Sequence, residues 1–330
     1  MKIYSITETS QTDITELVTT VKWSGELSQV ARRVDFGIIS SPSDKYIPVV
    51  NIPLGSVIKV FKDDGDMIFK GFVFLREKSY NGDMMNVTAY DNLIYWTKSK
   101  SVIKVKNITP EAFAAKLCSE TGTSPGTFAK TGVQFTRIFK GSTYYEMLQT
   151  AYTEAHKKNG KEYMPRMNDG KLDVIEIGSK VVSTLLTNFN PDTKEGNLMD
   201  SNFTESIENM VNRVIITDDK GKKIGTVEDA NLIRLYGVIQ DVYQKEDKKN
   251  PTPIAKSLLK GVEQTASVSA IGNEEFITGM AVNVKEEYTG LVGRFYIISD
   301  EHVWENGTYT MTLNLSLESI MDEQSAGDVK

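Results

Sequence analysis

The sequence predicts a β-rich α+β protein in which an α/β domain is set between two β domains. Three observations carry that reading. The first third alternates apolar and polar positions and turns at Asp-Gly and Asn-Gly pairs, without helical spacing. The middle holds two capped amphipathic segments followed by a hairpin. The last third returns to alternating strands punctuated by glycine. At 330 residues the chain exceeds what one hydrophobic core usually serves. The expected partition is a first β domain over 1–104, an α/β domain over 105–200, a second β domain over 201–321 and a flexible tail over 322–330.

In the first domain, Val30, Arg32, Val34, Phe36 and Ile38 share one strand face, which is largely apolar. Ala31, Arg33, Asp35, Gly37 and Ile39 share the other. A strand over 56–61 enters the D-D-G-D turn at Asp63–Asp66, and Met67–Glu77 returns from it. A second turn, N-G-D at 81–83, leads into M-M-N-V-T-A-Y. Asn-Gly and Asp-Gly provide the positive φ angles that tight hairpins need. Repeated hairpins of this kind build a small barrel or sandwich.

In the middle domain, Thr109 reads as an N-cap, Pro110 as the first helical residue and Gly122 as the stop, with Phe113 and Leu117 one turn apart. Thr143 and Glu146 form a capping box for a second helix that closes at Asn159–Gly160. Its apolar stripe is Tyr144, Leu148, Ala151 and Ala155. A hairpin follows, Tyr163–Met167 and Lys171–Ile177, turning at Asn168–Asp169–Gly170.

In the last third, Val211–Thr217 and Ile224–Val227 flank a D-D-K-G turn, and Asn231–Tyr243 reads as extended. The charged, proline-broken Gln244–Pro253 is a surface connection. Thr252 and Pro253 open a short helix that stops at Gly261. Strands run from Phe276 to Leu317, and the polar end from Asp322 reads as frayed.

Composition narrows function mainly by exclusion. The longest apolar runs are strand-length, short of the ~20 residues of a membrane helix. The start, M-K-I-Y-S-I-T-E-T-S, lacks the apolar core of a secretory signal, so cytoplasmic synthesis is expected. A net charge of −6 disfavours a nucleic-acid surface. One cysteine, Cys118, excludes an internal disulfide or a CxxC metal site, and its helical setting marks a small buried hydrophobe. The two histidines have no companions at metal-ligand spacing. His156 sits in the last turn of a helix, and His302 lies in the turn-like S-D-E-H-V-W-E-N-G. The acid pairs Asp63–Asp64, Asp218–Asp219, Glu274–Glu275 and Glu286–Glu287 fall in turns or at strand flanks, where conformation explains them. No G-x-S-x-G, P-loop or H-E-x-x-H is present. Trp23, Trp96 and Trp304 read as core plugs of β segments. No catalytic, cofactor or metal site is therefore expected, and the chain reads as a non-enzyme.

Four segments, in order, resemble the baseplate hub proteins of contractile phage tails and phage-tail-like bacteriocins, the tail-hub or late-control-D family. They are W-S-G-E-L-S-Q-V-A-R-R-V-D-F at Trp23–Phe36, M-I-F-K-G-F-V-F at Met67–Phe74, A-Y-D at Ala89–Asp91 leading through Leu93 and Tyr95 to K-S-K at Lys98–Lys100, and Y-T-M-T-L-N-L-S-L at Tyr309–Leu317. The resemblance implies two small antiparallel β-barrel-like domains with the α/β domain between them. It also implies a homotrimeric ring that adapts a six-fold tail tube to a three-fold central spike. The implied partners are the tube protein, the spike, other baseplate proteins and the tape measure. The chain would be assembled in the bacterial cytoplasm and carried in the tail baseplate, with DNA at most passing through the lumen. Arg32 and Arg33 are the subunit-interface candidates. Being adjacent on a strand they point to opposite faces, so one at most joins any given surface. A tail-associated cell-wall hydrolase and a carbohydrate-binding module are the alternatives.

Overall fold

The computed structural model describes residues 1–40, 46–48, 50–78, 83–246 and 250–329. It divides into two compact units, Met1–Ser201 with Ser267–Lys330, and Asn202–Ala266.

The larger unit opens with strands β1 (Lys2–Ile6), β2 (Gln11–Asp13), β3 (Val18–Glu26), β4 (Arg33–Ile39), β5 (Val57–Phe61), β6 (Met67–Lys78) and β7 (Met84–Tyr90). They pair antiparallel in the order β3-β4-β7-β6-β5-β1-β2. The alternation read in β4 holds, since Val34, Phe36 and Ile38 are buried against Val21, Val60 and Val87. The D-D-G-D turn places Gly65 at φ 95°. Asn81 and Gly82 of the second turn lie outside the described residues. One element was hidden among strand-like residues: helix α1 (Leu93–Lys98), which buries Leu93, Ile94 and Trp96. It starts where the Leu93 N–H donates to the Asp91 carboxylate at 2.9 Å.

The α/β lobe follows as β8 (Lys100–Ile108), α2 (Pro110–Thr121), β9 (Ser124–Phe128), β10 (Phe135–Thr143), α3 (Tyr144–Asn159), β11 (Tyr163–Asn168) and β12 (Lys171–Glu176). Its helix ends fall where the caps were read. Thr109 accepts from Ala112 N, Gly122 closes α2 at φ 66°, the Thr143–Glu146 box opens α3 and Gly160 ends it at φ 70°. Phe113, Leu117, Leu148, Ala151 and Ala155 are fully buried with Trp96 and Tyr152. Each large apolar side chain removed from water in this way contributes about 1.5–3 kcal/mol. Cys118 is buried among them, and burial pushes its thiol up to about 11, consistent with an inert packing residue.

After β13 (Leu186–Thr187), the chain leaves this unit along β14 (Leu198–Ser206). The smaller unit contains β15 (Arg213–Thr217), β16 (Lys223–Glu228), α4 (Ala230–Tyr236), β17 (Gln240–Gln244) and α5 (Pro251–Ser257). Its sheet runs β16-β15-β17, with Val214, Ile216 and Ala255 as its core. Two expectations are corrected here. Asn231–Tyr243 is not extended throughout, because Asp229 accepts from Asn231 N and Leu232 N and thereby starts α4. The cap of α5 is Asn250, with Pro251 as its first residue, and the helix ends at Ser257. Residues 247–249 of the charged connection lie outside the described residues.

The chain returns along β18 (Glu263–Ile271) to β19 (Ala281–Glu286), β20 (Leu291–Glu305), β21 (Thr308–Ser316) and β22 (Asp328–Val329). Strand β20 is 15 residues long, enough to pair with β19, β21 and β3. Through the β3–β20 ladder the first and last thirds share one sheet. The β-rich class holds, but among the described residues the ladder is an open path and does not close into barrels. The polar C-terminal stretch, expected to be frayed, packs on the α/β lobe. Gln324 N and Ala326 N donate to Thr153 and Thr150 on α3, and Asp328 pairs with Ile138. Its polarity serves the buried hydroxyls of α3, both threonines being fully buried. Among the described residues no helix is long and apolar enough to cross a membrane.

Candidate functional site

A buried polar construction in the larger unit lies where β3, β4, β20 and the residues before α1 meet. Strand parity puts Arg32 on the apolar side, and it is only 7% exposed. Its guanidinium meets Asp300 of β20 through two parallel contacts, Nη1 to Oδ1 at 2.9 Å and Nη2 to Oδ2 at 2.5 Å. The same head lies 4.1 Å above the Trp23 ring. Gly25 makes the passage possible, because a Cβ there would stand 2.3 Å from Arg32 Nη1. The motif W-S-G-E-L-S-Q-V-A-R-R thus folds as a platform, a gap and the cation that fills it.

Asp300 also accepts from Thr278 N at 2.7 Å and from the Thr278 hydroxyl at 2.6 Å. Burial alone would raise its carboxyl, but Arg32 and His302 hold it well below the usual carboxylate range. Asp91 differs. It accepts from Arg32 N at 3.2 Å and from Leu93 N, yet burial dominates and pushes its carboxyl up to about 7. His302 is fully buried within β20, not in a turn. Its Nε2 lies 3.0 Å from the Phe276 carbonyl, which can only accept, so Nε2 carries the proton. Its Nδ1 contacts Tyr309 Oη at 2.9 Å, and Trp23 and Tyr309 flank its ring. These contacts position β3 against β20 and contain no arrangement of nucleophile and base.

Arg33 points the other way. Its side chain is 43% exposed and meets Asp35 at 2.8 Å. Of the two interface candidates, Arg32 is engaged inside the chain and Arg33 presents its head to solvent. Near the same sheet, Phe72, Phe74, Tyr90 and Tyr95 form a cluster of edge-on and tilted rings with contacting centroids 5.2–5.9 Å apart. Phe74, Leu75 and Tyr95 of this region are exposed. Sequence reasoning passed over this cluster, although its residues lie in the M-I-F-K-G-F-V-F and A-Y-D segments.

The remaining candidates keep structural roles. His156 Nδ1 meets Lys161 O at 3.1 Å at the end of α3. Glu286 is buried and caps the turn after β19. The Thr289 hydroxyl and the Thr289 and Tyr288 amides hold its carboxyl down at about 2. Trp23 and Trp96 are core residues, and Trp304 stacks on Tyr309 at 4.3 Å. Among the described residues no group of three or more His, Cys, Asp or Glu is placed to hold a metal ion.

The fold is similar to that of phage tail proteins. The 43 kDa tail protein of prophage MuSo2 from Shewanella oneidensis matches with a TM-score of 0.71 over 96% of each chain at 15% identity. A tail protein from Neisseria meningitidis matches at 0.63 over 95% of each chain, also at 15% identity. An E. coli component of the type VI secretion system, itself described as structurally similar to T4 bacteriophage tail proteins gp27 and gp5, matches at 0.57. That match covers 94% of this chain and 76% of the other at 14% identity. Among curated proteins none matches. The YQBQ-like family model matches residues 21–316, and the chain belongs to that family.

Proposed function

We propose that the chain is a structural baseplate hub of a contractile tail or related injection particle. Three copies form a ring that meets the six-fold tail tube on one side and the three-fold spike on the other. The observation that carries the reading is the end-to-end likeness of fold to a tail protein, 96% of both chains. The β3–β20 ladder supports it, because a ring subunit needs its two β regions held in fixed register. Arg33 and the exposed Phe74–Tyr95 cluster are the proposed subunit contacts, since aromatic side chains and arginine favour such positions. The part is mechanical: the chain carries geometry, not chemistry, and it is assembled in the bacterial cytoplasm before residing in the tail baseplate.

Native mass spectrometry of the purified chain tests the ring, together with sedimentation of host lysate probed for the chain. A species of three times the subunit mass, and co-migration with contractile tails, is the expected result. A monomer that stays in the light fraction while tails sediment would overturn the proposal. Clearing of peptidoglycan by the chain alone would replace it with the hydrolase reading.

A further inference from the structure

Two patches of the larger unit carry opposite charge that is not answered within the chain. The first is the outer face of β8, the edge strand of the order β22-β10-β8. Strand parity buries Ile103 and Val105 and turns Lys100, Val102, Lys104 and Lys106 outward. These lysines, and Lys98 before them, make no ion pair among the described residues. Lys140, beside Val102 on β10, is already met by Asp328 at 2.7 Å. From Asn92 to Pro110 the sequence has four lysines and no acid, and against −6 for the whole chain that +4 leaves −10 on the rest. Lysines alone would guard a strand edge against pairing. Here they border Val102, which is 73% exposed, so the strip has an apolar centre as well as a charged border. Lys100 and Tyr95 line one cleft, which makes the strip continuous with the aromatic cluster; the acid of that cleft, Glu120, lies 4.0 Å from Lys116.

The second patch is an open cavity of about 640 Å³ between β1, β3, β6 and the β20–β21 turn. At ~30 Å³ per water it has room for about twenty waters, or several side chains. Trp304 and Tyr309 line it as a stacked pair, 4.3 Å apart with planes 14° from parallel, and both are partly exposed. Its two cations are engaged: the Met1 amine meets Asp63, and Lys62 bridges Asp64 and Asp66 at 2.8 and 3.3 Å. Glu16, Glu274 and Glu305 remain, none of them in an ion pair among the described residues, although Glu305 accepts from the Thr20 hydroxyl at 2.7 Å. An indole edged by unpaired carboxylates attracts ammonium groups. Lys104 and Lys106 stand ~7 Å apart on one face, and the apolar Val102 beside them matches the aromatic pair. A three-fold ring needs two different, complementary patches on every copy, because its contacts run head to tail. We propose that the β8 strip of one copy seats in the Trp304–Tyr309 cavity of a second copy. The inference rests on the ring reading and specifies how that ring closes.

The test is charge reversal in the full-length chain. Lys104→Glu with Lys106→Glu reverses the strip, Glu274→Lys with Glu305→Lys reverses the cavity, and a quadruple variant carries both reversals. None of these four side chains is buried, so the fold is kept. Trimer dissociation is followed by sedimentation velocity at low and at high salt. Each reversal is expected to weaken the trimer about tenfold or more, and the quadruple variant to regain most of that loss, because both sides have then changed sign. The native trimer should itself weaken as salt rises. A native trimer left intact by both reversals, or a quadruple variant as weak as either reversal alone, would overturn the contact and leave the ring standing. A native chain that stays monomeric at every concentration would remove the ring, and this contact with it.

Discussion

The α/β lobe and the Arg32 junction are both buried in the same unit, yet they are held by opposite means. The lobe is a continuous apolar cluster in which Phe113 stacks on Phe139 at 5.6 Å and meets Phe135 edge-on at 5.5 Å. Such a core loses stability in proportion to the volume removed. The junction holds a cation, two carboxyl groups and a histidine within a few ångströms. Burying an ion pair gains little over apolar packing, but every arrangement that leaves one partner alone is penalised. Arg32 and Asp300 are 268 residues apart. The lobe therefore provides bulk stability, and the junction selects the one register that joins the first and last thirds.

The strongest way to break this contrast is Asp300→Ala, which strands Arg32 in the core. It is expected to lower unfolding stability by about 3–5 kcal/mol, read from denaturant midpoints. The double change Arg32→Met with Asp300→Leu should recover most of that loss, and a double variant no better than the single would sink the ion-pair account. In the lobe, Leu148→Ala is expected to cost about 2–5 kcal/mol and Leu148→Met less than about 1.5 kcal/mol, a graded response the junction should not show.

A third test is pH. The Asp91 carboxyl titrates at about 7 in the folded chain, against 3.8 for the ordinary group. Between those values the folded chain keeps a proton that the unfolded chain has released. Its contribution to stability is complete below the lower value and disappears as pH rises through about 7. Asp300 and Glu286 are shifted downward, so their contributions change only at lower pH. The melting temperature should therefore decline from pH 5 to pH 8 more steeply in the native chain than in Asp91→Asn, and parallel profiles would refute the assignment. Smaller still is Thr143→Ala, which removes one half of the capping box of α3 and should cost about 1 kcal/mol.

What could be read from the chain alone follows the range of each interaction. Caps act within four residues, so Thr109, Gly122, Thr143, Glu146 and Gly160 were legible, as was the turn at Asp169–Gly170 with φ 46° and 73°. Helix α4 was missed because Ile233, Leu235, Tyr236 and Val238 look like strand residues; the short-range signal to the contrary was Asp229 at the cap. His302 was misplaced in a turn because its neighbours are polar, and those neighbours are polar because Asp300 answers an arginine far away in sequence. The burial of Thr150 and Thr153 likewise had no local signal, since their partners are the backbone amides of residues 326 and 324. Gly25 had no visible reason until Arg32 was seen lying across it.

The smallest expected effect sharpens the contrast most between two neighbouring residues at the start of β4. Arg33 is next to Arg32, but the pleat turns it outward, where it pairs with a partly exposed Asp35. Exposed pairs of this kind contribute about 0–1 kcal/mol. Arg33→Ala should therefore move the unfolding midpoint by no more than the equivalent of about 0.5 kcal/mol, an order of magnitude below Asp300→Ala. A large loss would mean that the two faces of β4 are not divided as described. If stability is kept while the trimeric species weakens in native mass spectrometry, the outward arginine serves the neighbouring subunit. If both are unchanged, the proposed contact shifts to the Phe74–Tyr95 cluster, where Tyr95→Ser removes an exposed ring without entering the core. Only the weakened trimer separates the two arginines by role as well as by face, one fixing the chain's own register and the other acting between chains.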